Sequence, residues 1–159
     1  MIVLGIDPGL GNTGYGIISV TNNDFSLVDF GVIKTTTKDK LSNRLKIIFN
    51  EINHLIKKNR PSIFSIEEIF YSKNVKSSLL LGHARGVSIA AASTNEVLVY
   101  EYSARKIKQS LTGNGNAHKD QVRFMVQNML KLKEAPKSSD ASDALAIALC
   151  YALQNKLEY

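Results

Sequence analysis

A change of hydrophobic period near residue 40 constrains this chain more than any other feature. Before it, apolar residues alternate: residues 2–7 (IVLGID), 15–20 (YGIISV) and about 25–34 (FSLVDFGVIK) read as strands, with Pro8 closing the first and Asn22-Asn23-Asp24 turning the chain before the third. Links this short make the three an antiparallel meander. After it, Leu41, Leu45, Ile48, Ile52, Leu55 and Ile56 recur at helical spacing until Asn59-Arg60-Pro61 stops them. A strand at 62–67 (SIFSIE), a helix over about 75–92 and a strand at 96–101 (EVLVYE) follow. A short basic helix begins near Ser103, Gly113-Asn114-Gly115-Asn116 forms a loop, and helices over about 118–131 and 139–154 end the pattern. A meander followed by strand–helix alternation calls for a mixed sheet with helices on both faces.

Such an α/β chain, with five strands in this order, has a ribonuclease H-like architecture. The 159 residues suit one domain, 1–159, with room for a substantial core. Fold alone does not establish an activity. No apolar run nears the roughly 18 residues of a membrane span. The N-terminal MIVLGID runs directly into a Gly-rich turn and reads as a core strand, not a leader. Cys150 is the sole cysteine, so no internal disulfide forms, which suits a cytoplasmic protein.

Twenty Lys and Arg against fourteen Asp and Glu give a net charge of +6, which favours a polyanionic partner. The excess is local. Arg105, Lys106, Lys108, Lys119, Arg123, Lys131, Lys133 and Lys137 share their stretch with only Asp120 and Glu134, a distribution that phosphate contact requires.

Four acids stand out. Asp7 closes the first strand, and Glu67, followed by Glu68, closes the apolar SIFSI strand. A carboxylate at such a position is costly unless a cation or hydrogen-bond donors compensate it, although an acid at a strand end can also simply mark the exit to water. Asp140 and Asp143, three apart at the start of the last helix, share one face of its first turn. Capping explains that pair equally well, with Asp140 at the N-cap. Two strand-end acids and two helix acids make an oxygen-rich set suited to a hard divalent cation, and no Cys/His cluster offers a zinc site. Such a set suits phosphodiester hydrolysis with two Mg²⁺ ions. His54, His83 and His118 are scattered, with His54 on a helix surface.

The segment Asp7-Pro8-Gly9-Leu10-Gly11-Asn12-Thr13-Gly14 is neither a Walker loop nor a dinucleotide fingerprint, because a strand follows it. Its glycines permit a tight turn in which a phosphate or metal could approach the backbone. Similar Asp-x-Gly hairpins bind nucleotide phosphates in actin-like and sugar-kinase folds. Those need two such domains, which 159 residues cannot supply.

Four segments in order, Gly5-Ile6-Asp7-Pro8-Gly9 with Gly14-Tyr15-Gly16, Ile66-Glu67-Glu68-Ile69-Phe70, Lys73-Asn74 with Leu81-Gly82-His83-Ala84-Arg85-Gly86-Val87, and Ser139-Asp140-Ala141-Ser142-Asp143-Ala144-Leu145-Ala146, resemble the RuvC family of Holliday-junction resolvases. The likeness covers nearly the whole chain. It implies a ribonuclease H-like fold and metal-dependent, symmetric paired nicking of four-way DNA junctions in recombination and repair, leaving 5′-phosphate and 3′-hydroxyl ends. It places the catalytic, metal-binding acids at Asp7, Glu67, Asp140 and Asp143, with Mg²⁺, two ions per subunit, as cofactor and Mn²⁺ as a substitute. It sets Phe70 to stack on a base near the crossover, and Lys108 and Lys119 near the scissile phosphate. Arg105 and Lys73 are further DNA contacts. Gly82, Gly86 and Ala90, four apart, form a narrow helix groove that suits either packing within the monomer or the homodimer the resemblance implies. A branch-migration motor is the usual partner of cellular members. Two other readings stand beside this one: a smaller nuclease acting on RNA or DNA flaps, and a branched-DNA binding module without catalysis.

Overall fold

Period-two alternation in the first strand sends Val3, Gly5 and Asp7 to one face of a sheet and Leu4 and Ile6 to the other, and the rest of the fold is laid on those two faces. The structure, a computed structural model, describes residues 1–22, 24–69 and 74–155. Its elements are β1 (Ile2–Asp7), β2 (Asn12–Thr21), β3 (Asp24–Lys34), α1 (Leu41–Asn59), β4 (Ile63–Glu67), α2 (Val75–Thr94), β5 (Leu98–Tyr102), α3 (Ala104–Thr112), α4 (Lys119–Met129) and α5 (Ser139–Gln154).

The sheet runs β3-β2-β1-β4-β5. The meander is antiparallel, while β1–β4 and β4–β5 are parallel. This is the expected mixed sheet. One apolar layer joins Leu4, Ile6 and Ile17 to α1 and α2; the other joins Val3 and Ile18 to α3, α4 and α5. β2 begins at Asn12, three residues before the alternation becomes visible, because Gly14 pairs with Asp7 and Asn12 with Lys34. β5 is displaced to Leu98–Tyr102.

α5 is apolar on nearly every side, and buried residues run from Ala141 to Ala152 with Asp143 the half-buried exception. A helix hydrophobic all round belongs inside a protein. Each large side chain it buries, such as Leu145, Ile147 and Leu149, contributes about 1.5–3 kcal/mol. Among the described residues, no helix is long and apolar enough to cross a membrane.

Candidate active site

Small residues bring the acids together. Gly5 pairs with Gly16 and Asp7 with Gly14, so three glycines form a floor on the α5 face of β1 and β2. A Cβ on Gly14 would collide with the backbone of Asp140, one on Gly5 with the carbonyl of Ala144, and one on Gly16 would lie 2.7 Å from the Leu145 nitrogen. The helix therefore rests directly on strand backbone, and the turn bearing Asp140 lies over the residue paired with Asp7. Gly14, one of the glycines of the turn, thus makes room for a helix, together with Gly5 and Gly16 on the strands.

The turn itself is pinned. Thr13 Oγ1 donates to Gly9 O at 2.6 Å, Thr35 Oγ1 to Leu10 O at 2.5 Å and Thr35 N to Gly11 O at 2.9 Å. On the neighbouring strand, buried Ser65 donates from Oγ to Ile147 O at 3.0 Å. That bond ties β4 to α5 two residues before Glu67, on the same face.

Asp140 does not cap α5. Ser138 is the N-cap, its side chain accepting from Ala141 N at 3.4 Å, and Asp143 lies past the first turn. A side-chain cap thus accounts for neither acid, while Asp140 keeps the first-turn place that a helix N-terminus favours for an acid. Asp7, Glu67, Asp140 and Asp143 instead border one cleft of about 300 Å³, whose remaining wall includes Lys108 of α3, Lys119 of α4 and the apolar Ile107 and Val122. Lys119, first residue of α4, reaches Asp143 Oδ2 at 3.4 Å.

The charges interact strongly. Burial, reinforced by the nearby Asp143, Glu67 and Asp140 carboxylates, pushes Asp7 up to about 8, against the opposing pull of Lys119. Burial and Asp143 also raise Glu67; burial raises Asp143 despite Lys119. Coulombic attraction to Asp143 raises Lys119. Crowded acids opposed by so little positive charge form a donor set that fits a hard divalent cation. Among the described residues, no group of three or more His, Cys, Asp or Glu side chains is gathered closely enough to hold one metal ion; the four acids border the cleft more widely spaced.

Other sequence candidates fall outside it. Glu68 faces a smaller hollow of about 140 Å³, separated from the cleft by Asp7 and Glu67, which border both. Arg105 is exposed and its stem packs beneath Gly115, where a Cβ would sit 2.6 Å from Cγ. Phe70 and Lys73 lie outside the described residues. The basic stretch is also not one face: Lys131 pairs with Asp24 at 3.4 Å, and Arg123 turns inward to donate to Pro136 O at 2.5 Å. His54, His83 and His118 are exposed, and His118 is the N-cap of α4. Sequence reasoning gave no role to Ser65 or Arg85. Their polar character within otherwise apolar segments was the available signal, but their partners become evident only from the packing.

The profile of the family described as crossover junction endodeoxyribonuclease RuvC matches residues 3–151. A RuvC from Ruminiclostridium cellulolyticum is 43% identical over 157 residues, covering 99% of this chain and 95% of that one. The solved structure of Thermus thermophilus RuvC superposes with a TM-score of 0.92 at 34% identity, covering 98% of this chain and 96% of that one. Another, of the same protein in complex with Holliday junction substrate, superposes at 0.93 and 34% identity, covering 98% and 95%. With its mixed sheet and its cleft of four carboxylates, this chain belongs to the RuvC family of crossover junction endodeoxyribonucleases.

Proposed function

We propose that Asp7, Glu67, Asp140 and Asp143 hold the divalent cations with which this endonuclease resolves four-way DNA junctions, and that a homodimer makes the two cuts. The observation that carries this reading is the convergence of four carboxylates from β1, β4 and α5 in one cleft, with Asp7 raised to about 8 by burial and by the acids beside it. A proton held that high in a ring of acids marks a place where positive charge is wanted.

Bound Mg²⁺, two ions per subunit in this reading and replaceable by Mn²⁺, would supply an activated water and stabilise the leaving oxygen of an in-line displacement. Asp7 and Glu67 are the ligands fixed by strand ends, and Asp140 and Asp143 those carried by the docked helix. Lys108 and Lys119, on the opposite wall, would hold the scissile phosphate by charge. The pinned Gly9–Gly11 turn keeps Asp7 in register while the substrate enters. The solved complex of the Thermus thermophilus protein with Holliday junction substrate supports the same substrate here.

The outer face of α2 supports the dimer. Among the described residues, a Cβ on Gly82 or Gly86 would meet nothing within 4 Å, and Leu79 on the same helix is 63% exposed. Packing among the described residues therefore gives those glycines no reason to be small. A twofold dimer through this face presents two identical clefts, one for each of two symmetric nicks. We read the chain as one nuclease domain acting in the cytoplasm, consistent with its single, buried Cys150.

A synthetic four-way junction incubated with the protein and Mg²⁺ tests the proposal beside Asp7→Asn. Symmetric paired nicks are expected from the natural sequence. The variant should bind the junction normally and cut it about a hundredfold more slowly or worse, because metal-assisted charge stabilisation contributes several kcal/mol. Equal cutting by both proteins would overturn the site.

A further inference from the structure

Glu67 lies just beyond the last β1–β4 pair, Ile6 with Ile66, so β1 does not fix its backbone. On the other side β5 reaches it, pairing Tyr102 with Glu67 and accepting Glu68 N at Tyr102 O, 2.9 Å. The Glu67 carbonyl is taken up from α2: Arg85 Nε donates to it at 3.0 Å. The other arm of the same guanidinium forms an ion pair with Glu101 of β5, and the Arg85 side chain is only 20% exposed. One planar fork thus grips the ends of two adjacent strands.

α2 covers the face of the sheet opposite α5, while the Glu67 side chain borders the cleft on the α5 face. Arg85 therefore never enters the cleft. It acts on the carboxylate through the backbone that carries it. The fork geometry is specific to arginine, since lysine offers one point charge and cannot hold two acceptors in fixed directions.

We propose that Arg85 is a positioning residue for cleavage, fixing Glu67 from behind the sheet, with Glu101 holding the guanidinium in place. This rests on the reading that Glu67 holds the cation. A ligand whose backbone is free to rotate spreads its carboxylate over several orientations, and groups that orient metal ligands matter to affinity by about 10–100-fold. The consequence is that metal affinity, more than DNA affinity, depends on a residue outside the cleft.

The test measures Mn²⁺ binding by calorimetry without DNA, for the natural sequence and for Arg85→Ala, Arg85→Lys, Glu101→Gln and Glu67→Gln. Junction affinity in Ca²⁺ and melting temperature are measured in parallel. Arg85→Ala should weaken Mn²⁺ binding about tenfold, Glu101→Gln less, and Arg85→Lys should recover only part of the loss, with junction affinity unchanged throughout. In cleavage, the Mn²⁺ concentration for half-maximal rate should rise more than the plateau falls. Unchanged Mn²⁺ affinity with only a lowered melting temperature would reduce Arg85 to a fold-stabilising residue and overturn the proposal. Glu67→Gln separates the two layers. If it binds Mn²⁺ like the natural protein, the metal-site reading itself fails; if it loses Mn²⁺ while the Arg85 variants do not, only the positioning role fails. Should Arg85→Ala not fold, Glu101→Gln decides: weaker Mn²⁺ binding supports the role, unaltered binding ends it.

Discussion

At the scale of single residues, the Asp7 carboxyl has opposing effects on stability and function. Its ordinary value is 3.8 and the folded protein holds it near 8, so between those pH values the metal-free folded state binds a proton that the unfolded chain has released. The stabilising contribution is complete below 3.8 and disappears as pH rises through 8, at up to about 1.4 kcal/mol per pH unit. Asp7→Asn removes this dependence. In EDTA, the melting temperature of the variant should therefore gain on that of the natural protein as pH goes from 5 to 8, and a constant gap would contradict the burial of this charge. Cation binding must release the proton, so metal affinity should climb over the same range.

Lys119 works in the other direction, lowering both Asp7 and Asp143. Lys119→Met is expected to slow cleavage and move the rising limb of its pH profile to more alkaline values. A slower reaction with an unmoved profile would confine the lysine to substrate contact.

At the scale of elements, the decisive contact is α5 on the glycine floor. Gly14→Ala forces a Cβ against the Asp140 backbone. Overpacking of this kind costs about 1–3 kcal/mol, and the helix that must shift carries two of the four acids. Cleavage should fall further than stability alone explains. Gly11→Ala is the control, because no described residue lies within 4 Å of the added carbon; its melting temperature and rate should match those of the natural protein.

The same contact shows what a sequence can disclose. The strand and helix order was legible because hydrophobic period is a local property; Asp7 and Glu67 stood out because they end apolar strands, and Asp140 and Asp143 because they sit three apart at the start of an apolar helix. The purpose of Gly14 and Gly16 was not, since their partners Asp140 and Leu145 are far along the chain and only the docked helix shows why no side chain fits. The cap at Ser138 was masked by the adjacent Ser139-Asp140, which offers an equally good local pattern. Arg105 was named as a DNA contact; the structure leaves it exposed, with its stem packed against Gly115.

At the scale of the whole molecule, the open face of α2 predicts a dimer. Gly86→Arg and Leu79→Lys place charge on a surface that the described residues leave open at Gly86 and largely exposed at Leu79. Both variants should sediment as monomers with an unchanged circular dichroism spectrum. They should release single nicks from a four-way junction where the natural protein produces paired ones. Dimers with intact pairing would place the subunit contact elsewhere.

The docking of α5 also bears on how the protein is born. Asp7 lies on β1 and Asp140 on α5, and chains emerge from the ribosome N-terminal end first. The meander can pair early, yet its glycine floor stays bare and Asp7 has no helix carboxylates beside it until translation has passed residue 143. A nascent or prematurely terminated chain therefore has no assembled cleft. Cleavage therefore needs both β1 and α5 in place, and a chain stopped before residue 143 lacks part of the acid set.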